Sequence, residues 1–397
     1  MISWGLKTRA LRPIGMDIGH NSIKMIQLLM DKEQISVIAA EKVRIDSGIN
    51  GDGQKRRSFI ISAIRRMLEK GNFYRRNVIS CLPNDGLKIT SLRLAEIQSD
   101  GIEQTLKKEV AQRFGLDPDE DAMKYVVVGN VHQGDEIKNE LILFAADNEE
   151  IKSHIEMLEE AGLRPVSIDT IPCALFRSFE RSLRRQEDKE HTVVFVDVGN
   201  KFTTVVFGRG GEISFVKQIS IGGKRFDEEI AAKLGVDISE AGMLREALQM
   251  EKSLSTPKPD LEEQATAENE QKLDASTRQA IVDVVSAVAE ELTREISLCL
   301  RYYTVTFRGK RVRRAFFTGG GAYEYILLDV LKRQLAVEIE VAQPLKGFDM
   351  ASERKNLNFD SDRRGLLCEW TVAVGLSLKG WNGAESVNCE GIGGIQV

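Results

Sequence analysis

Two short stretches carry the residue types needed to hold a polyphosphate. Asp17-Ile18-Gly19 is followed by His20-Asn21-Ser22, and Asp197-Val198-Gly199 is followed by Asn200-Lys201-Phe202-Thr203, a shift of 180 residues. Apolar β-type residues precede each, which predicts a strand, a tight bend and a returning strand. Glycine in such a bend lets an anion approach the backbone, and successive N–H groups form a concave anion seat. Side chains just beyond can donate to phosphate oxygens: Asn21, Ser22 and Lys24 in the first copy, Asn200, Thr203 and Thr204 in the second. The acids cannot face phosphate directly at low cost. Asp17 and Asp197 are therefore the candidate catalytic and metal-holding residues, acting through Mg²⁺ and its waters, the coordination magnesium prefers. One DxG turn is weak, and plain hairpin turns are the alternative. Two in matched contexts, if they oppose one another, grip a polyphosphate from both sides.

A third element is Thr318-Gly319-Gly320-Gly321-Ala322, between a predicted strand and a predicted helix. That junction suits close approach of a nucleotide to a helix N-terminus. It matches neither GxGxxG with a downstream acid nor the phosphate loop ending in GK[ST]. The four His have no Ser or Cys partner in a recognisable motif, so covalent catalysis is not supported.

The positioning elements read as an α/β chain. PIGMDIG, NSIKMIQLL and ISVIAAEKVRI are predicted strands, and 58–70 is an amphipathic helix with apolar residues at three-and-four spacing. NVISCLP is a short buried strand. KITSLRL, a helix capped at Ser99/Asp100, the strands KYVVVGNV and ELILFAAD, a helix over 149–160 and RPVSIDT then read as an inserted α+β unit. TVVFVDVG, NKFTTVVFG and EISFVKQISI repeat the strand-turn-strand theme. FDEEIAAKL and 237–248 are helices. Ile281, Val285, Val288, Leu292, Ile296, Cys299 and Tyr303 form one stripe of a long helix. RRAFFTGGG leads into the helix AYEYILLDVLKRQL, and LLCEWTVAVGLSLKG is a last helix. Glu291 and Glu295 read as the solvated face of the long helix.

Composition narrows the class. Of 397 residues, 42% are hydrophobic and 29% charged, an ordinary globular mix. A net charge of −5 argues against a nucleic-acid binder. Five Cys without a CxxC pair argue against a zinc site or a disulfide framework and for a reducing compartment. No apolar run reaches the ~18 residues of a membrane span, and the basic start MISWGLKTRALRP lacks a secretory apolar stretch. Residues 251–275 hold seven acids against three bases and read as a solvated loop.

GMDIGHNSIKMIQL and FVDVGNKFTTVVF resemble the two phosphate hairpins of the actin-like ATPases, the superfamily of actin, heat-shock-type chaperones and sugar kinases. FFTGGGAYEYILLDVLKRQL resembles their adenosine loop, and ISIGGKRFDEEIA, with Gly222 and Gly223, the turn and helix after the second hairpin. ELTREISLCLRYY and LEEAGLRPVSIDTIPCALFRSF extend the likeness to PilM-like proteins of type IV pilus assembly, with FtsA more distant; it spans roughly 13–380.

This resemblance implies two duplicated ribonuclease-H-like α/β halves around a nucleotide cleft. The implied organisation is a tail (1–12), a first half (13–90, returning at 169–191), the inserted subdomain (91–168), and a second half (192–221 and 316–365). A smaller subdomain (222–315) carries the acidic loop. A final helix (366–380) returns to the first half, and a tail (381–397) follows.

The resemblance also implies ATP and Mg²⁺, at most slow ATPase activity, and nucleotide acting as a conformational switch. ATP is held by Gly19, Asn21, Ser22, Lys24, Gly199, Asn200, Thr203, Thr204, Gly222, Gly223 and Gly319–Gly321, with Asp17 and Asp197 on the metal. The implied partner is a PilN-like single-span inner-membrane protein. Its cytoplasmic N-terminal peptide docks between the first half and the inserted unit, so the chain is cytoplasmic and peripheral at the membrane through that partner. Self-association is a further expectation, in a pilus or type II secretion machine. Departures from the family pattern are His20, for a Ser or Thr beside the phosphates, Ser297 and Leu298, for basic residues near the nucleoside, and Arg245, for a Lys. The alternatives are a small-molecule phosphotransferase of the superfamily, for which no acceptor base is visible, and a scaffold without nucleotide.

Overall fold

In the computed structural model, residues 10–31, 34–49, 51–94, 99–133, 136–180, 191–254, 273–307, 311–350, 357–359 and 366–379 are described. Residues 1–9, the central part of the expected acidic loop (255–272), residue 380 of the expected final helix and the expected tail (381–397) lie outside them.

The first half opens with β1 (Ala10–Leu11), β2 (Ile14–Ile18), β3 (Ser22–Asp31) and β4 (Gln34–Arg44). Helix α1 (Gly53–Lys70) follows, with Ile60, Ile64 and Met67 on its buried face. It starts five residues before the predicted 58, because Asp52 caps it by accepting from the Gln54 and Lys55 amides. Such a cap contributes about 1 kcal/mol and holds a polar first turn that shows no apolar period. Strand β5 (Asn77–Cys81) is next.

Strands β6 (Lys88–Leu94), β7 (Ala122–Gln133) and β8 (Glu136–Ala146) form a separate antiparallel sheet in the order β6-β8-β7, covered by α2 (Ser99–Phe114). Its own small core holds Leu92, Ile102, Leu106, Leu141 and Leu143. The expected unit 91–168 is shorter than its pattern suggested. Helix α3 (Asn148–Glu160) packs with α1 through Ile151, Met157 and Leu158. Strand β9 (Arg164–Asp169) pairs in parallel with β5, from Asn77↔Arg164 to Cys81↔Asp169. Which sheet a strand joins is a non-local choice that alternation does not encode. Helix α4 (Ile171–Glu180) completes this half.

The second half repeats the plan with β10 (Thr192–Val198), β11 (Thr203–Arg209) and β12 (Glu212–Ile219), then helices α5 (Gly223–Leu234), α6 (Ile238–Leu254) and α7 (Ala275–Thr306). Strand β13 (Val312–Thr318), helix α8 (Tyr325–Gln334) and strand β14 (Glu338–Val341) follow, and α9 (Thr371–Ser377) ends the described chain. Helix α6 runs past the predicted 248, so 251–254 are helical rather than loop.

Both main sheets have one order and sense. β4-β3-β2-β5-β9 matches β12-β11-β10-β13-β14, with two antiparallel and then two parallel pairings. The chain is therefore a duplicated α/β fold. Part of 316–365, expected in the second half, lies instead on the first. Leu345, Phe348 and Leu357 pack on Ile26, Ile35 and Val37, and the Val37 amide donates to Asp349 O at 2.9 Å.

Helices α4 and α9 join the halves. A Cβ added at Gly375 would lie 1.8 Å from Ala174 O, and one at Gly15 would lie 2.1 Å from Ala373 O. Only glycine permits this backbone contact.

Candidate functional site

The β2–β3 bend is closed by the Gly19 amide donating to Ser22 O at 2.9 Å. Arg56 of α1 donates to Gly19 O at 2.8 Å and to His20 O at 3.0 Å, and the Ile45 amide donates to Asn21 O at 2.8 Å. Three successive carbonyls are thus occupied by protein donors, which lowers the bend's repulsion of an anion.

The β10–β11 bend repeats the same closure, with the Gly199 amide donating to Phe202 O at 3.0 Å. Its carbonyls are taken by the start of α5: Gly223 N donates to Gly199 O at 2.9 Å and Lys224 N to Asn200 O at 2.7 Å. Asn200 Oδ1 is buried without a protein partner.

Both bends line one cavity of about 880 Å³, together with Gly319–Gly321. Asp17, Gly19, Asn21, Ser22, Lys24, Asp197, Gly199, Asn200 and Gly223 all contribute to its wall. Three expected residues do not. Thr203 is buried and donates to Ile221 O at 2.7 Å. Thr204 is buried and accepts from Asn84 Nδ2 at 3.2 Å. Gly222 packs beneath the second bend, where a Cβ would meet Asn200 O at 2.5 Å. Adjacent strand residues face opposite sides of the sheet, and here both sides are covered, so each threonine is buried against a protein partner.

The triglycine wraps the end of β10. Gly319 has φ +81°, and a Cβ there would lie 2.4 Å from Asp197 Oδ1; one at Gly321 would lie 2.3 Å from Val198 Cγ1. Helix α8 begins only at Tyr325, after a short 3-10 turn over Gly320–Tyr323. Arg245 reaches the cavity but is already engaged, donating to Asp227 at 2.7 Å and Glu324 at 3.3 Å. Ser297 and Leu298 do not line the cavity, and Leu298 is exposed.

The two acids sit in unlike environments. Asp17 is directly opposite Lys24 across the hairpin, and Lys24 Nζ lies 2.9 Å from its carboxylate. Burial opposes the Lys24 charge, yet Asp17 and Glu369 together hold its pKa up. Asp197 is opposite Thr204 instead. Burial, then the charge of Asp17, pushes Asp197 up to about 7, against a smaller pull from Lys24. His20 is pulled down by burial and then by Arg56 and Lys201, so its ring faces the cavity neutral at pH 7.

Several cavity residues gave no sequence signal. Lys42 Nζ is 2.8 Å from both oxygens of Glu369, 327 residues away. Arg44 pairs with Glu246 at 2.8 Å and Lys201 pairs with Asp85, each joining the two halves across the cavity. The fixed spacing of a hairpin is visible in a sequence; these long-range pairs are not.

A family model described as type IV pilus assembly protein PilM matches residues 15–256 and 260–381. The chain belongs to this PilM family. A chain of a PilM–PilN type IV pilus biogenesis complex is similar to the PilM-family chain over 94% of its length and 99% of the other's, at 21% identity and TM-score 0.69. Ethanolamine utilization protein EutJ from Carboxydothermus hydrogenoformans is similar over 94% and 90% of the two chains, at 13% identity and TM-score 0.52. A Bacteroides thetaiotaomicron protein with actin-like ATPase fold is similar over 87% and 98%, at 8% identity and TM-score 0.40. The fold is the actin-like ATPase fold of this family. Among the described residues no helix is long and apolar enough to cross a membrane.

Proposed function

We propose that this PilM-family chain binds a magnesium nucleotide, ATP by preference, and uses it as a switch for docking the cytoplasmic N-terminal peptide of a PilN-like inner-membrane protein. The observation that carries the nucleotide reading is the facing of two glycine bends, each led by an acid, on one cavity. Its volume of about 880 Å³ is within the usual range of ligand sites.

The residues present suit the metal as well as the phosphates. Among the described residues no cluster of three or more His, Cys, Asp and Glu converges, which agrees with a cation held through water and phosphate rather than by a protein cage. Asp197 lacks a cross-strand cation, and Asn200 Oδ1 lacks a donor. Asp17 and Asp197 would hold Mg²⁺, which when bound neutralises phosphate charge and orders water. The chain's own part is positional. Lys24 pairs with Asp17 and aims its carboxylate, Arg56 fixes the first bend, and the start of α5 fixes the second. Gly319 and Gly321 let the chain close over β10. Any hydrolysis is slow, resting on the orientation of an attacking water, with no covalent intermediate on a protein nucleophile.

The peptide seat is supported by a limb of the same cavity between α1 and α3. Ile60, Leu82 and Met157 line it, and it ends at Pro83–Gly86, which leads into β6 of the inserted sheet. Apolar side chains of an extended peptide would anchor there. Through the partner the chain would sit at the inner membrane without spanning it. Because the two seats share one cavity, and Arg56, which lines it, holds the first bend, each ligand would bias the other's affinity.

The test is the affinity of the chain for a labelled N-terminal peptide from its organism's own PilN-like protein, with and without Mg-ATP. A shift of about fivefold or more is expected, the low end of allosteric couplings. Equal affinity in both conditions overturns the switch, and no peptide binding in either overturns the docking.

A further inference from the structure

We propose that Lys42 senses the terminal phosphate of the bound nucleotide and reports it, through Glu369, to the seam between the two halves. The inference rests on the nucleotide reading above and adds to it the residue that distinguishes triphosphate from diphosphate.

Four charges form a row across the cavity floor. Asp17 is directly opposite Lys24, and Lys24 directly opposite Lys42, on three adjacent strands. Directly paired residues share a face, at about 4.8 Å per strand. Like charges in that relation repel, so each lysine needs its own acid. Lys24 has Asp17 at 2.9 Å, and Lys42 has both oxygens of Glu369 at 2.8 Å. The side chains of Lys42 and Glu369 are only 9% and 10% exposed, and all four residues line the cavity.

Glu369 belongs to a tight turn at the seam. Its neighbour Cys368 accepts through its carbonyl oxygen from the Gly319 amide at 3.3 Å and from the Thr318 hydroxyl, both in the second half. Two residues on, Thr371 O accepts from Ser178 of α4 in the first half. A displacement of Glu369 therefore moves a turn bonded to both halves and to the triglycine.

A terminal phosphate entering beside Lys24 presents more negative charge than a carboxylate and competes for the Lys42 ammonium. Lys42 leaves Glu369 in part or wholly, and the seam loses its tie to β4. A diphosphate ends short of Lys42 and leaves the pair closed. Discrimination then equals the difference in Lys42 contact between the two ligands.

The experiment is calorimetric titration of the full chain with Mg-ATP and with Mg-ADP, for wild type, Lys42→Gln and Glu369→Gln. Wild type is expected to favour ATP about fivefold or more, the scale of a modest coupling. Lys42→Gln should weaken ATP while leaving ADP within about twofold. Glu369→Gln removes the competing charge while keeping the side-chain shape, so the ATP preference should rise. An unchanged ATP/ADP ratio in Glu369→Gln overturns the inference even if Lys42→Gln does not fold, and so does equal weakening of both nucleotides in Lys42→Gln. Wild type that binds neither nucleotide removes the underlying reading as well. For the seam, hydrogen exchange over 366–377 should increase with Mg-ATP relative to Mg-ADP; identical exchange with both overturns the coupling.

Discussion

Lys24 Nζ lies 2.9 Å from Asp17 Oδ2, directly across the first hairpin, whereas the matching position opposite Asp197 is Thr204. Two bends with the same Asp-x-Gly start and the same closure thus differ at the position across the strand, and one acid is paired there with a cation while the other faces a hydroxyl. That asymmetry leaves the second acid short of a cation inside a cavity built from two halves.

The pair itself is testable without any ligand. Lys24→Met would leave a buried carboxylate uncompensated, at a cost of about 3–5 kcal/mol. Asp17→Asn combined with Lys24→Met removes both charges and should recover most of that loss. Urea unfolding at pH 7 of Lys24→Met, Asp17→Asn and the double variant measures the cycle; a double-variant loss equal to the sum of the two single losses would show that the two groups are uncoupled.

A pH response follows from His154. Its Nε2 lies 3.1 Å from Ser80 Oγ, and burial, with a smaller push from Arg57, lowers its pKa to about 4. The folded ring stays neutral while the unfolded one takes a proton below about 6.5. Stability is therefore lost as pH falls from about 6.5 to about 4, where the folded state also protonates, and the slope ends below that. The loss is on the order of 3 kcal/mol at most. His154→Gln should flatten that part of the stability–pH curve, which denaturant midpoints at pH 4 to 7 would record.

Glycines at the seam differ sharply in what they tolerate. Gly375→Ala would drive a methyl to 1.8 Å from Ala174 O, whereas a Cβ at Gly320 meets nothing within 4 Å. Gly375→Ala should cost about 3 kcal/mol or more, as overpacking against backbone does, while Gly320→Ala should leave the melting temperature nearly unchanged. Thermal scans of the two variants side by side check this.

Much of the architecture was legible because local rules carried it. The hairpins at Asp17 and Asp197 announce themselves by alternation and glycine, and Ala275–Thr306 by an unbroken apolar stripe. The start of helix α1 is hidden because its first turn is GQKRR, and the clue, Asp52 as a cap, lies in one residue rather than in a period. The sheet that β9 joins is not legible, because β9 obeys the same strand pattern whichever sheet it pairs with, and it pairs with β5. Thr203 and Thr204 have the right chemistry and sit just past the bend, yet the strand directs both hydroxyls to protein partners. Lys42 and Glu369 were invisible, since a pair 327 residues apart has no spacing rule.

The central claim is that the two opposed bends hold a magnesium nucleotide, with the unpaired acid essential to it. Calorimetric titration of the folded full chain with Mg-ATP, alongside Asp197→Asn, tests this most directly. The account predicts saturable binding by wild type and at least about tenfold weaker binding by the variant, the 1.4 kcal/mol scale of one charge-assisted contact. No heat with wild type at millimolar Mg-ATP, or the same affinity in Asp197→Asn, would contradict it.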